Sequence, residues 1–186
     1  MKSVLISIRP QWCEQIASGK KTIEVRKSAP KEVPFKAYIY ETKESKMRYL
    51  NDRFNSFLKN KSHYTDMGKV IGEFICDKVY SIKNQGNSFV VANEEQGVTN
   101  EIARQSCLDY DDMVGYLSNK DGYGLHITAL KIYDKPKELS EFCIPCKVSC
   151  ENCKNPLYFE CSCEEKGKKI VTRPPQSWQY VEELEK

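Results

Sequence analysis

Gly19-Lys20-Lys21-Thr22-Ile23-Glu24-Val25-Arg26 is where a helical pattern gives way to a strand pattern. Upstream, Pro10, Trp12, Cys13, Ile16 and Ala17 recur near helical spacing. Pro10 suits a first helical turn and Gly19 a helix stop. Downstream, Ile23 and Val25 alternate with Thr22, Glu24 and Arg26, so Glu24 and Arg26 share one strand face. Lys21 stands at the turn and can lean to either side. A carboxylate between two cations makes a fixed mixed-charge site able to hold a polar planar ligand. Charge spacing alone favours a plainer reading, an ion pair on a solvated face that contributes little.

Working outward, residues 3–8 read as a strand, 10–18 as a helix and 22–27 as a second strand. Residues 28–34 hold two prolines without periodicity and form a loop. Residues 35–40 alternate as a third strand with Lys36 outward. Residues 43–66 are an insertion, with one amphipathic helix expected near 45–59. A long strand follows over 69–83, with Gly72 as a bulge or bend. A loop over 84–98 leads to a helical region over about 99–118, broken near Asp109. The last good strand runs over 123–133. Long strands with few helices and no βαβ series predict an α+β fold built on a small barrel.

The 186 residues suit one domain with a small appendage, here 1–140 followed by a cysteine-rich 141–186. With 40% hydrophobic and 30% charged residues, and no apolar run of spanning length, the chain reads as cytoplasmic and without membrane contact. The net charge of +3 is unevenly spread: residues 1–60 carry thirteen Lys/Arg against six Asp/Glu. That bias lends weak support to an anionic partner such as RNA or a nucleotide.

Six of the nine cysteines fall between residues 143 and 163, as C-x2-C-x3-C-x2-C-x7-C-x-C. Paired thiolates from tight turns close a tetrahedral shell, so a structural zinc knuckle is expected. Disulfides compete, but suit a secreted chain better. Cys150 and Cys153 form the central pair. Cys146 and either Cys161 or Cys163 complete the shell, with Cys143 a spare. Cys13, Cys76 and Cys107 fall on apolar patterns and belong to the core.

Gly19, Lys21, Glu24 and Arg26, after Val4–Ile8, Pro10 and Trp12, form a Gly-x-Lys-x-x-Glu-x-Arg pattern that resembles the signature of the ASCH domain family, within the PUA-like superfamily of β-barrels. Val70–Phe74, Gly122–Ile127, Pro136–Leu139 and Arg173–Trp178 resemble the longer ASCH proteins of phages and prophages, as does Cys146 after Pro145. The resemblance implies a PUA-like barrel whose cleft, beside the first helix and second strand, accepts RNA or a modified base.

On that basis Lys21 and Arg26 are candidates for phosphate or base-edge contacts, Glu24 for orienting them, and Arg9 for a nearby cation. Trp12 and Tyr38 offer stacking faces. A hydrolase is the alternative, because some ASCH proteins resemble amidohydrolases of N4-acetylated cytidine, or ribonucleases. This chain keeps the amidohydrolase lysine as Lys21. It carries Glu24 where the threonine nucleophile would stand, and Ser106 where a distant carboxylate would be, which counts against deacetylation. Another hydrolysis, with Glu24 as general base and Lys21 stabilising an anion, is a second form of the same alternative. A third reading is a protein-interaction module docking through its knuckle and its Pro174-Pro175 and Trp178 tail.

Overall fold

The computed structural model describes residues 1–43, 67–86, 88–92, 96–145 and 169–184, with backbone alone for 96–99. The chain runs β1 (Lys2–Ile8), α1 (Pro10–Ala17), β2 (Ile23–Arg26), β3 (Phe35–Glu41), β4 (Val70–Cys76), β5 (Val79–Asn84) and β6 (Phe89–Val91). It continues through α2 (Gln96–Ser106), α3 (Tyr110–Leu117), β7 (Gly122–His126), β8 (Thr128–Lys137), β9 (Cys143–Ile144), β10 (Lys169–Ile170) and β11 (Trp178–Val181). Among the described residues this is an α+β fold of three helices and mixed sheets. A five-stranded sheet has the order β11-β1-β3-β4-β8, a four-stranded sheet the order β2-β7-β5-β6, and β9 pairs with β10.

The apolar run in β1 has a topological cause. β1 lies between β11 and β3, and both faces of its sheet are covered. Val4, Ile6 and Ile8 pack beneath α1 with Cys13, Ile16 and Phe74. Leu5 faces the other way, toward Tyr38, Phe142, Val171 and Val181. A strand buried on both faces loses its polar alternation. The same covering applies to β3, where Lys36, expected outward, keeps a side-chain exposure of 12% and pairs with Glu183. Tyr38, expected as a stacking face, is fully buried; its ring meets Phe142 edge-on and its hydroxyl accepts a hydrogen bond from the Leu184 amide.

The β1–β3 pair is parallel, so the chain must cross over between them. That crossover holds α1 and β2, and β2 joins the other sheet against β7. The expected closed barrel gives way to two sheets: among the described residues no strand pair links β2 or β6 to β8 or β11. Two single-strand readings are corrected for a related reason. The run over 69–83 breaks at Asp77-Lys78 and the run over 123–133 breaks at Ile127, and each break passes the chain from one sheet to the other. Apolar residues resume soon after both breaks, so the sequence pattern hides them. β6, inside the expected loop, and β9 to β11 were also missed, being only two to four residues long.

Gly72 does mark an irregularity. The β4–β8 register shifts beside it, and a Cβ there would lie 2.5 Å from the Lys131 carbonyl. The helical region breaks where Asp109 caps α3, its side chain accepting from the Asp112 amide at 2.8 Å. The expected helix near 45–59, and Cys146, Cys150, Cys153, Cys161 and Cys163, lie outside the described residues. No helix among the described residues is long and apolar enough to cross a membrane.

Candidate functional site

The turn after α1 fixes Lys21. Gly19 adopts φ +74°, and the amides of Lys20 and Lys21 both donate to the Gln15 carbonyl at 3.0 Å. The Thr22 amide donates to Gln105, so the turn is docked on the end of α2. Lys21 is then carried inward, with 2% exposure, and its Nζ donates to the Ser106 carbonyl at 2.5 Å. Ser106 is the last residue of α2, where a cation is favoured by the helix dipole. Lys21 Nζ also lies 3.3 Å from Glu24 Oε2 and 5.1 Å from the centre of the Trp12 ring.

β2 divides its side chains as the alternation predicts, although both of its faces are buried. Ile23 and Val25 turn toward α2 and α3, Ile23 packing with Ile102 and Val25 with Met113 and Leu117. Glu24 and Arg26 occupy the other face. Arg26 Nη2 pairs with Glu24 Oε1 at 2.9 Å and donates to the Ser7 carbonyl at 2.6 Å. Both residues are 5% exposed. The solvated ion pair suggested by charge spacing is therefore a buried three-charge cluster.

Arg9, Trp12, Lys21, Glu24 and Arg26 all line one open cleft of about 1060 Å³. Lys21 and Arg26 meet on the same carboxylate, so they do not point to opposite sides. Tyr40 lines this cleft, whereas Tyr38 does not. Sequence reasoning missed the opposite wall. α3 contributes Asp111, Asp112 and Tyr116, and the C-terminal segment contributes Pro174, Pro175 and Gln176. The signal for α3 was its Asp109 cap, which starts the helix and so sets which side chains face the cleft.

Ser7 connects the cluster to the C-terminal wall. Its hydroxyl donates to the Pro175 carbonyl at 2.6 Å, and its amide donates to Ser177 at 3.0 Å. Trp178 is partly buried and donates from Nε1 to the Ser28 carbonyl at 3.0 Å, whereas Arg173 is exposed.

Nucleophile candidates near the cleft are constrained. Burial, with Glu41 and Glu24 nearby, pushes the Cys13 thiol well above its ordinary range, keeping it protonated. The Ser7 hydroxyl is committed to Pro175. Ser106 is fully buried, and its hydroxyl donates to the Ala103 carbonyl at 2.9 Å, so it meets Lys21 through its backbone alone. Among the described residues no group of three or more His, Cys, Asp or Glu is arranged to hold a metal. Cys143 is half-buried in β9.

A family model for the ASCH domain matches residues 6–167. The fold is similar to that of ASCH from Zymomonas mobilis, with a TM-score of 0.56 at 16% identity over 97% of this chain and 88% of that one. A mutant form of the same Zymomonas mobilis protein gives a TM-score of 0.57 at 16% identity, over 98% and 91% of the two chains. No curated protein matches this chain. Likeness at such low identity speaks for the fold, and the family match covers most of the chain, including α1, the turn after it and β2, so the chain belongs to the ASCH domain family.

Proposed function

We propose that this ASCH protein binds RNA, or a nucleotide or modified nucleoside, in the cleft lined by Lys21, Glu24 and Arg26. The observation that carries the reading is the convergence of Arg9, Trp12, Lys21, Glu24 and Arg26 around one cleft large enough for a nucleotide. Arg9 and Trp12 lie at its edge, where a strand of RNA would meet a cation and an aromatic ring. Fluorescence anisotropy with a labelled single-stranded RNA tests this. Arg9 is exposed, so Arg9→Ala should leave the fold intact, weaken binding and reduce its salt slope by about one. No RNA or nucleoside binding by the wild-type chain would remove the reading.

A hydrolytic reading rests on Glu24 Oε2, which has no hydrogen-bond partner and would serve as general base. That reading takes water as the nucleophile, since the Ser7 hydroxyl is committed to Pro175. Turnover of an RNA or acylated nucleoside, lost in Glu24→Gln, would establish it. The protein-interaction reading would gain if the chain captured a protein partner while ignoring nucleic acid. A structural zinc on Cys146, Cys150, Cys153 and Cys161 or Cys163, and kinship with the phage-type proteins, are proposed from the spacing and resemblance alone. About one zinc per chain after purification under reducing conditions, released by chelators without loss of the ASCH sheets, is the expected result for the knuckle.

A further inference from the structure

Lys21, Glu24 and Arg26 are each 5% exposed or less, so a ligand meets the cleft through its exposed walls. α3 is the wall that the Gly19–Arg26 stretch does not supply. Its Met113 and Leu117 are buried with Val25, Ile82 and Phe89, while Asp111, Asp112, Gly115 and Tyr116 are exposed and line the cleft. That division follows helical spacing, and it sets Gly115 within the cleft-facing stripe.

Local rules do not call for a glycine there. Inside a helix glycine is less favourable than alanine, because its backbone has more freedom to lose. Two structural features commonly require one: a left-handed backbone, or a neighbour too close for a Cβ. Gly115 has neither. It lies inside α3 and is not among the glycines of positive φ. A Cβ at Gly115 would meet nothing within 4 Å, whereas one at Gly122 would lie 2.7 Å from the Leu117 side chain.

α3 departs from local preference at its ends as well. Cys107, two residues before the Asp109 cap, has φ +53°, and Ser118 and Asn119 after the helix have φ +57° and +56°. Residues with side chains disfavour this region, and such outliers gather where a site dictates the backbone. Both ends are tied down. Cys107 Sγ donates to the Lys20 carbonyl at 3.5 Å, in the turn that delivers Lys21, and the Ser118 amide donates to Val114 at 2.8 Å. An eight-residue helix is thus held in place with a bare patch of backbone turned to the cleft.

We propose that Gly115 is a clearance residue: a single strand of RNA in the cleft lies directly on the α3 backbone, in the space a side chain at 115 would fill. Asp111 and Asp112, one turn earlier, put carboxylates on the same wall. They turn phosphates away, toward Arg9 and Lys43, so the strand presents its sugar or base side to α3. This role rests on the reading that the cleft binds RNA or its components, and it adds a residue that limits what the cleft admits.

Gly115→Ala and Gly115→Leu, made in the full chain, are compared with wild type by thermal unfolding and by fluorescence anisotropy on a labelled single-stranded RNA of mixed sequence. The four ribonucleosides are titrated by calorimetry alongside. Both substitutes favour a helix more than glycine does, so Gly115→Ala should raise Tm by about 2–4 °C and Gly115→Leu should not lower it. RNA affinity should fall with side-chain size, about fivefold or more for alanine and further for leucine. Stability and binding then move in opposite directions, which a packing role for Gly115 would not produce. RNA bound by both variants as tightly as by wild type overturns the clearance role and leaves RNA binding standing. A lowered Tm in Gly115→Ala overturns it too, because the glycine would then serve the fold. A wild-type chain that binds a nucleoside but no RNA also overturns it while the cleft keeps its ligand. If neither RNA nor any nucleoside binds, both readings fall.

Discussion

Lys21 and Glu24 differ in what their removal leaves behind. Without Lys21, Glu24 and Arg26 still neutralise one another, and the main loss is the charged hydrogen bond to the Ser106 carbonyl. Lys21→Met, which keeps an apolar stem, should cost about 1–3 kcal/mol. Without the Glu24 charge, two buried cations face each other uncompensated, and Glu24→Gln should cost about 3–5 kcal/mol. Urea unfolding of the two variants checks the order; a larger loss for Lys21→Met would mean that the cation, rather than the carboxylate, holds the cluster together. Local alternation was enough to put Glu24 and Arg26 on one face. Their burial was not legible, because it depends on partners outside the local pattern, such as the Ser7 carbonyl that holds Arg26. The core cysteines give a second test at this scale. Burial pushes the Cys76 thiol up to about 12, and Cys13 is raised for the same reason. A raised folded value favours the protonated native thiol, so its contribution is complete below the unfolded pKa of about 8.5 and fades as pH rises from there toward 12. Native protein treated with iodoacetamide near pH 8 should show Cys13 and Cys76 unmodified by mass spectrometry, with both labelled after unfolding.

α3 is a short element with an outsized place in the cleft, and its start depends on one side chain. Asp109 accepts from the Asp112 amide, which fixes the turn that presents Asp111 and Asp112. Asp109→Ala should cost about 1 kcal/mol and weaken ligand binding, although Asp109 itself does not line the cleft. A lowered Tm with unchanged affinity would show that the orientation of α3 does not matter to the ligand. This cap was readable because its physics is local. The end of β4 was not: Cys76 and Val79 continue an apolar pattern across Asp77-Lys78, and the change of sheet is decided by partners on β7 and β8. At Gly72 the reverse holds. A glycine in an apolar strand signals close approach, and the Lys131 carbonyl supplies it, so Gly72→Ala should cost about 1–3 kcal/mol through a forced shift of β8.

At the scale of the molecule, the cleft is a product of the crossover between β1 and β3 and of the return of the chain to β1. β11 pairs antiparallel with β1, from Ser3 opposite Val181 to Ile6 opposite Trp178. The segment just before it supplies the Pro174–Gln176 wall, tied to Ser7, whose carbonyl also holds Arg26. The charge cluster, the central strand and the C-terminal wall are thus linked through one serine. Truncation after residue 172 should therefore do two separable things. It should uncover the β1 edge, whose free amides and carbonyls invite pairing with a second chain, giving self-association by sedimentation and a lower Tm. It should also remove one wall of the cleft and weaken RNA binding. Ser7→Ala separates these effects. It deletes the hydroxyl bond to Pro175 while keeping the backbone pairs to β11, so it should cost about 1 kcal/mol and leave the chain in the same association state. If the wall is held in place by that hydroxyl, Ser7→Ala should weaken RNA binding without self-association. Binding equal to wild type would mean that β11 pairing alone positions the wall, and that Ser7 serves the cleft only through its carbonyl and Arg26.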